Sequence, residues 1–256
     1  MMQKILLIIL ISVFSFSLHA QQQTSTDLIR RGIELHDEEK FQEAIDVYKQ
    51  INENDSLYDY MLYEISYSFM QLEEYDSAIY YVNIGLELES SNQKLLLQQL
   101  ATAYDNSGDP EKAIEIYTKA LEKYPFDYLL YYNLGVTYSN QNEFEKSVEC
   151  FQNAIINNPF HSTSHLSLGK LMARQGLLTK AIISLEIFLE LEPESERSNI
   201  VLVYLNELAD NHIDTAWGEP IVPFTDNEIF SEVDHFIKSG IALKDNFKTG
   251  IKFKYV

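Results

Sequence analysis

Residues 128–161 read YLLYYNLGVTYSN-QNE-FEKSVECFQNAIINNPFH, and this stretch decides the fold. Tyr131, Leu134, Gly135 and Tyr138 recur at three- and four-residue spacing, the apolar stripe of a first helix. The polar run Asn140-Gln141-Asn142-Glu143 breaks that pattern. Phe144, Ser147, Val148, Phe151 and Ala154 then restart it as a second helix, which Asn157-Asn158-Pro159 ends. Neither helix can bury its stripe alone, so the pair reads as a hairpin. Gly135 and Ser147 are the small residues in it, and they predict the point where the two backbones approach most closely.

Outward from this stretch, the pattern repeats. Phe41…Ala44-Ile45, Tyr75…Ala78-Ile79, Pro110…Ala113-Ile114, Phe144…Ser147-Val148 and Leu178…Ala181-Ile182 form five segments whose small residues lie 34, 35, 34 and 34 apart. Pro125, Pro159 and Pro193 share the 34-residue interval, as do Gly135 and Gly169, and Gly32 holds the equivalent place in the first segment. Three registers with one period identify tandem units. In Gly108-Asp109-Pro110-Glu111, Gly ends one helix, Asp109 caps the next and Pro110 suits the first helical position.

These residues resemble the tetratricopeptide repeat over about residues 25–193. The resemblance implies an all-α fold, a right-handed α-solenoid of five helix–turn–helix hairpins at about 25–58, 59–92, 94–127, 128–161 and 162–195. The first unit has Ser56 in place of the final proline, and the second has Ser66 and Gly85 where Gly and Ala are usual. Leu28, Leu62, Leu97, Tyr131 and His165 stand in place of the usual first-helix Trp.

The flanks differ in kind. Residues 1–20 are expected to be a signal peptide of bacterial type, with Lys4, the apolar run Ile5 to Leu18 and cleavage after Ala20, so the protein is expected to be periplasmic or secreted with no stable span after cleavage. Residues 195–209 suit a capping helix, because exposed repeat ends need covering. A linker at 210–224 carries the single Trp, Trp217. The extension 225–256 is expected to hold a short helix, capped by Thr225 and Glu228 with Ile229, Val233, Phe236, Ile237 and Ile241 on one stripe, and an alternating strand around Ile251, Phe253 and Tyr255.

The formal charge is −20; residues 21–237 carry −25 and residues 238–256 carry +4. So acidic a surface repels nucleic acid, which needs clustered Lys and Arg. With one cysteine, Cys150, no intramolecular disulfide forms and packing must hold the fold. No phosphate-binding loop, nucleophile elbow or CxxC pair is present, so no enzyme activity and no cofactor are expected. His161 and His165 lie one helical turn apart but lack a third ligand in sequence, so packing or solvent exposure is expected for them rather than metal binding.

What remains is binding. In tetratricopeptide arrays the first helices line a concave groove that takes an extended peptide or helix. Candidates away from the core stripe are Tyr60, Tyr63, Tyr67 and Met70 in the second unit and Gln98, Thr102 and Asn106 in the third. Tyr132, Val136 and Asn140 follow in the fourth, and Lys170 and Arg174 in the fifth. Chaperone-binding members of the family clamp a terminal carboxylate with Lys, Arg and Asn. The matching positions here are Ile29, Ile33, Tyr63, Tyr67 and Gln98, so that specialised function does not transfer. The expected function is a non-catalytic scaffold for a protein or peptide partner. The alternative is an assembly factor of the cell envelope acting through its acidic surface or basic tail, with self-association.

Overall fold

The computed structural model describes residues 24–88 and 92–210. The expected signal peptide at 1–20, the expected linker around Trp217 and the expected helix and strand of 225–256 lie outside the described residues. Those described form eleven helices and no strand. They are α1 (24–37), α2 (Phe41–Tyr48), α3 (Tyr58–Gln71), α4 (Tyr75–Glu87), α5 (Gln93–Asn106) and α6 (Pro110–Lys123), then α7 (Tyr128–Asn140), α8 (Phe144–Asn157), α9 (Ser162–Arg174), α10 (Leu178–Leu191) and α11 (Glu196–Asp210). The expected all-α architecture of five hairpins followed by a further helix is what the described residues adopt. None of these helices is long and apolar enough to cross a membrane.

All five hairpins turn the same way. The residues at 39, 73, 108, 142 and 176 are left-handed, with φ of 60°, 59°, 90°, 60° and 71°. In each, the next residue's N–H reaches back to the carbonyl five residues earlier, as from Lys40 to Leu35, Glu74 to Phe69, Asp109 to Tyr104, Glu143 to Tyr138 and Leu177 to Met172. This is the bond pattern that satisfies the last carbonyls of a helix while reversing the chain. Asp109 also caps α6 by accepting from the Lys112 N–H at 3.1 Å, as its sequence context predicts.

The chain divides into two compact units, Met1–Pro125 and Phe126–Val256. In the first, α2 packs on α3, α3 on α4, α4 on α5 and α5 on α6. Its core gathers Ile29, Leu35, Ile45, Tyr48, Leu62, Ile65 and Phe69, and each fully buried side chain of this size contributes roughly 1.5–3 kcal/mol. Ala44, Ala78 and Ala113 are fully buried, and Gly32, Ser66 and Ala101, twelve residues before them on the first helices, are buried too. A Cβ on Gly32 would stand 2.1 Å from the Tyr48 ring, so that position requires glycine.

One helix departs from the period. α2 has eight residues where the other second helices have thirteen or fourteen. Side-chain oxygens divert the backbone after it: Asn52 Oδ1 accepts from the Asn54 N–H and Asp55 Oδ1 from the Leu57 N–H, both at 2.9 Å.

In the second unit α7 packs on α8, α8 on α9, α9 on α10 and α10 on α11. The helix expected at 195–209 covers the last hairpin with Val201, Tyr204 and Leu205, against Leu185, Phe188 and Leu189. Its entry is pinned by Glu192, which receives Arg197 Nε at 3.0 Å and the Ser162 hydroxyl at 3.1 Å, and whose carbonyl accepts from Ser198 Oγ. The guanidinium holds the Glu192 carboxyl down to about 2.

Candidate functional site

The first-helix candidates fall into two sets, one in each unit. In the first unit α3 carries apolar residues around most of its circumference. Leu62, Ile65 and Phe69 take the core, and Met70 joins them rather than the groove. Tyr60, Tyr63 and Tyr67, at i, i+3 and i+7, form a separate stripe. Their rings run as a ladder, Tyr60 to Tyr63 at 6.0 Å and 29°, Tyr63 to Tyr67 at 6.3 Å and 4°. The ladder continues onto α1: His36 stacks on Tyr67 at 4.8 Å and meets Phe41 edge-on at 4.9 Å. Tyr67 is the most open rung, 39% exposed, while Tyr60 and Tyr63 are half-buried.

Beneath the ladder lies Glu64, 7% exposed. The Tyr60 and Tyr48 phenols both act on its carboxylate, and the buried Tyr48 hydroxyl has no hydrogen-bond partner of good geometry. Burial pushes the Glu64 carboxyl up, and Asp37 adds to the effect. The same burial raises Tyr60 and Tyr63 and lowers His36, whose Nδ1 pairs with Ser68 Oγ at 3.1 Å. Sequence reasoning named the three tyrosines but missed Glu64 and His36. The signal was there: from Tyr60 to Leu72, Glu64 is the one charged side chain.

On α5 the three candidates differ. Thr102 turns its hydroxyl inward, to the Tyr117 hydroxyl at 2.8 Å and the Gln98 carbonyl at 2.9 Å. Gln98 keeps its side-chain oxygen buried without a partner, as Gln99 does its amide nitrogen. Asn106 is exposed at the helix end, beside the open depression lined by Glu73, Glu74 and Asp76.

In the second unit Tyr132 is tied into the packing, against Phe151 at 5.8 Å and His161 at 5.1 Å, and Val136 lies against the same cluster. Asn140 is exposed at the end of α7. Lys170 and Arg174 sit one turn apart on α9, both half-buried. Burial lowers the Lys170 ammonium, and Arg174 lies over the Phe144 ring at 5.6 Å. His161 and His165 are engaged by Ser164 Oγ at 2.7 Å and by the Pro159 carbonyl at 2.9 Å. No group of three metal-ligating side chains exists among the described residues.

Two profiles of the tetratricopeptide repeat match the sequence, over residues 94–137 and 128–161. Comparison with curated proteins gives no match. Among solved structures, TTC0263 of Thermus thermophilus, a thermophilic TPR protein, superposes with a TM-score of 0.60 at 17% identity, covering 72% of this chain and 98% of that one. MamA from Desulfovibrio magneticus RS-1 does so with a TM-score of 0.53 at 20% identity, covering 68% and 97%. A further MamA structure gives 0.52 at 22% identity, covering 63% and 94%. At such identities the likeness is one of fold. With two repeat profiles in register over residues 94–161 and one turn geometry closing all five hairpins, the described residues form a tetratricopeptide-repeat array.

Proposed function

We propose that the protein is an interaction scaffold that binds an extended segment of a partner protein on the Tyr60–Tyr63–Tyr67 face of α3. The observation that carries this reading is the ladder itself. Three aromatic rings stand in one row on a first helix, half-open to solvent, while a separate stripe of the same helix supplies the core. Tyrosine offers apolar area and a hydroxyl at small entropic cost, which suits it to recognition. Repeat scaffolds do no chemistry on what they hold, so we assign no catalytic role. The residue 1–20 reading supports action outside the cytoplasm, and N-terminal sequencing of the mature protein would find Gln21 first if it is right.

The test is a Tyr63→Ala/Tyr67→Ala variant assayed against partners captured from the native host. Loss of capture with an unchanged helical circular dichroism spectrum supports the assignment. Undiminished capture by the folded variant removes it. Tyr132 is left intact, because its contacts with Phe151 and His161 make it a packing residue as well.

A further inference from the structure

The chemistry around the ladder points to the kind of segment it takes. Residues 24–87 hold fifteen Asp and Glu against four Lys and Arg, a net −11. All four cations are already engaged: Arg30 with Asp27, Arg31 with Glu34, Lys40 with Glu38, and Lys49 over the rings of Phe69 and Tyr81. Glu64 is different from the other carboxylates. It is more than nine-tenths buried, and the groups that act on it are two phenols and a second carboxylate, Asp37. A buried carboxylate is ordinarily matched by a cation, and this one has none among the described residues.

Each part of this arrangement favours a cation and disfavours an anion. The faces of the tyrosine rings carry the negative end of a quadrupole. The field of the buried Glu64 reaches the ladder through protein rather than through water, so it is weakly screened, and the exposed Asp37 adds to it from the surface. Resting on the proposed function, we infer that the bound segment is basic: an extended peptide that lays Lys or Arg side chains against the Tyr60–Tyr63–Tyr67 ladder above Glu64. The hydrocarbon stem of such a side chain covers ring surface while its charged head stays in the field of the two carboxylates. An acidic segment would meet the same field with the opposite sign. Electrostatic selection of this kind sets partner choice and association rate as much as affinity.

A random peptide library displayed on phage, panned against the full chain and counter-screened on Tyr63→Ala/Tyr67→Ala, reads this directly. The pool that depends on the two tyrosines should be enriched in Lys and Arg and depleted in Asp and Glu. A representative basic peptide should bind the Glu64→Gln variant about tenfold more weakly, and should weaken again as salt shortens the Debye length to a few ångströms. A tyrosine-dependent pool that is neutral or acidic overturns the charge inference and leaves the peptide-binding face standing. Equal affinity of the basic peptide for wild type and Glu64→Gln also overturns it. If no peptide depends on Tyr63 and Tyr67, both readings fall.

Discussion

Ser147 donates its hydroxyl to the Gly135 carbonyl across 2.7 Å, with both residues shut away from solvent between α7 and α8. A Cβ on Gly135 would come within 2.8 Å of the Phe151 ring and 3.1 Å of Cys150 Cβ. The hairpin is therefore set by space before it is set by the hydrogen bond. Gly135→Val should lower stability by about 1–3 kcal/mol, the usual cost of overfilling a packed contact. Ser147→Ala should cost no more than about 1 kcal/mol, since alanine holds this place in the other four hairpins. Urea denaturation followed by circular dichroism compares the two, and a larger loss in Ser147→Ala would reverse the ranking.

The five left-handed turn residues are not equally suited to their conformation. Gly108 and Gly176 adopt it freely, whereas Glu39 and Glu73 hold φ near 60° against the steric resistance of a Cβ. Glu39→Gly and Glu73→Gly should each raise stability by roughly 0.5–1 kcal/mol, and Gly108→Ala should lower it by about as much. Nothing lies within 4 Å of a Cβ added at Gly108, so any loss there comes from backbone strain alone. The midpoint of the denaturation curve should move with its slope unchanged.

Burial raises the Glu64 carboxyl in the folded chain above its ordinary value near 4.5. The unfolded chain therefore gives up that proton at lower pH than the folded chain does. The favourable contribution is complete below the unfolded pKa, declines as pH rises towards the folded pKa, and is gone above it. Glu64→Gln should match wild type in mild acid and become the more stable protein as pH rises to neutrality. Thermal melts of both proteins across that range decide it; parallel curves would mean that Glu64 is solvated.

Cys150 is buried, and burial pushes its thiol up to about 12. The nucleophilic thiolate is then scarce in the folded unit, so a thiol reagent should label native protein slowly and follow the urea transition. Rapid stoichiometric labelling without denaturant would show that α8 opens on its own.

The repeat period made the hairpins legible. Small residues, turn signals and closing prolines recur at one interval, and each obeys helix geometry independently. Two kinds of detail were not legible. At Glu39 and Glu73 the left-handed turn is imposed by the closing bonds Lys40 to Leu35 and Glu74 to Phe69, against local preference, so no residue type announces it. On α3 the apolar residues run nearly all the way round, so periodicity does not say which stripe faces the core and which stays open. That choice placed Met70 inside and left Tyr67 outside. The buried Glu64 is a product of the same choice. Thr102 was misleading for a simpler reason: its polarity serves Tyr117, one helix away.

The intervals between hairpins carry one irregularity. The turn residues at 73 and 108 stand 35 apart where the others stand 34 apart, yet Ser66 to Ala78 and Ala101 to Ala113 are both twelve residues. The extra residue thus falls between Ala78 and Ala101, where Gln93 closes the end of α4 by donating to the carbonyls of Leu86 and Leu88. A chain assembled this way keeps its length rigidly within each clasp and loosely at the joints. Insertions and deletions over evolutionary time, and fusion points chosen by an engineer, belong at those joints; a single residue added inside a clasp would throw two helices out of step.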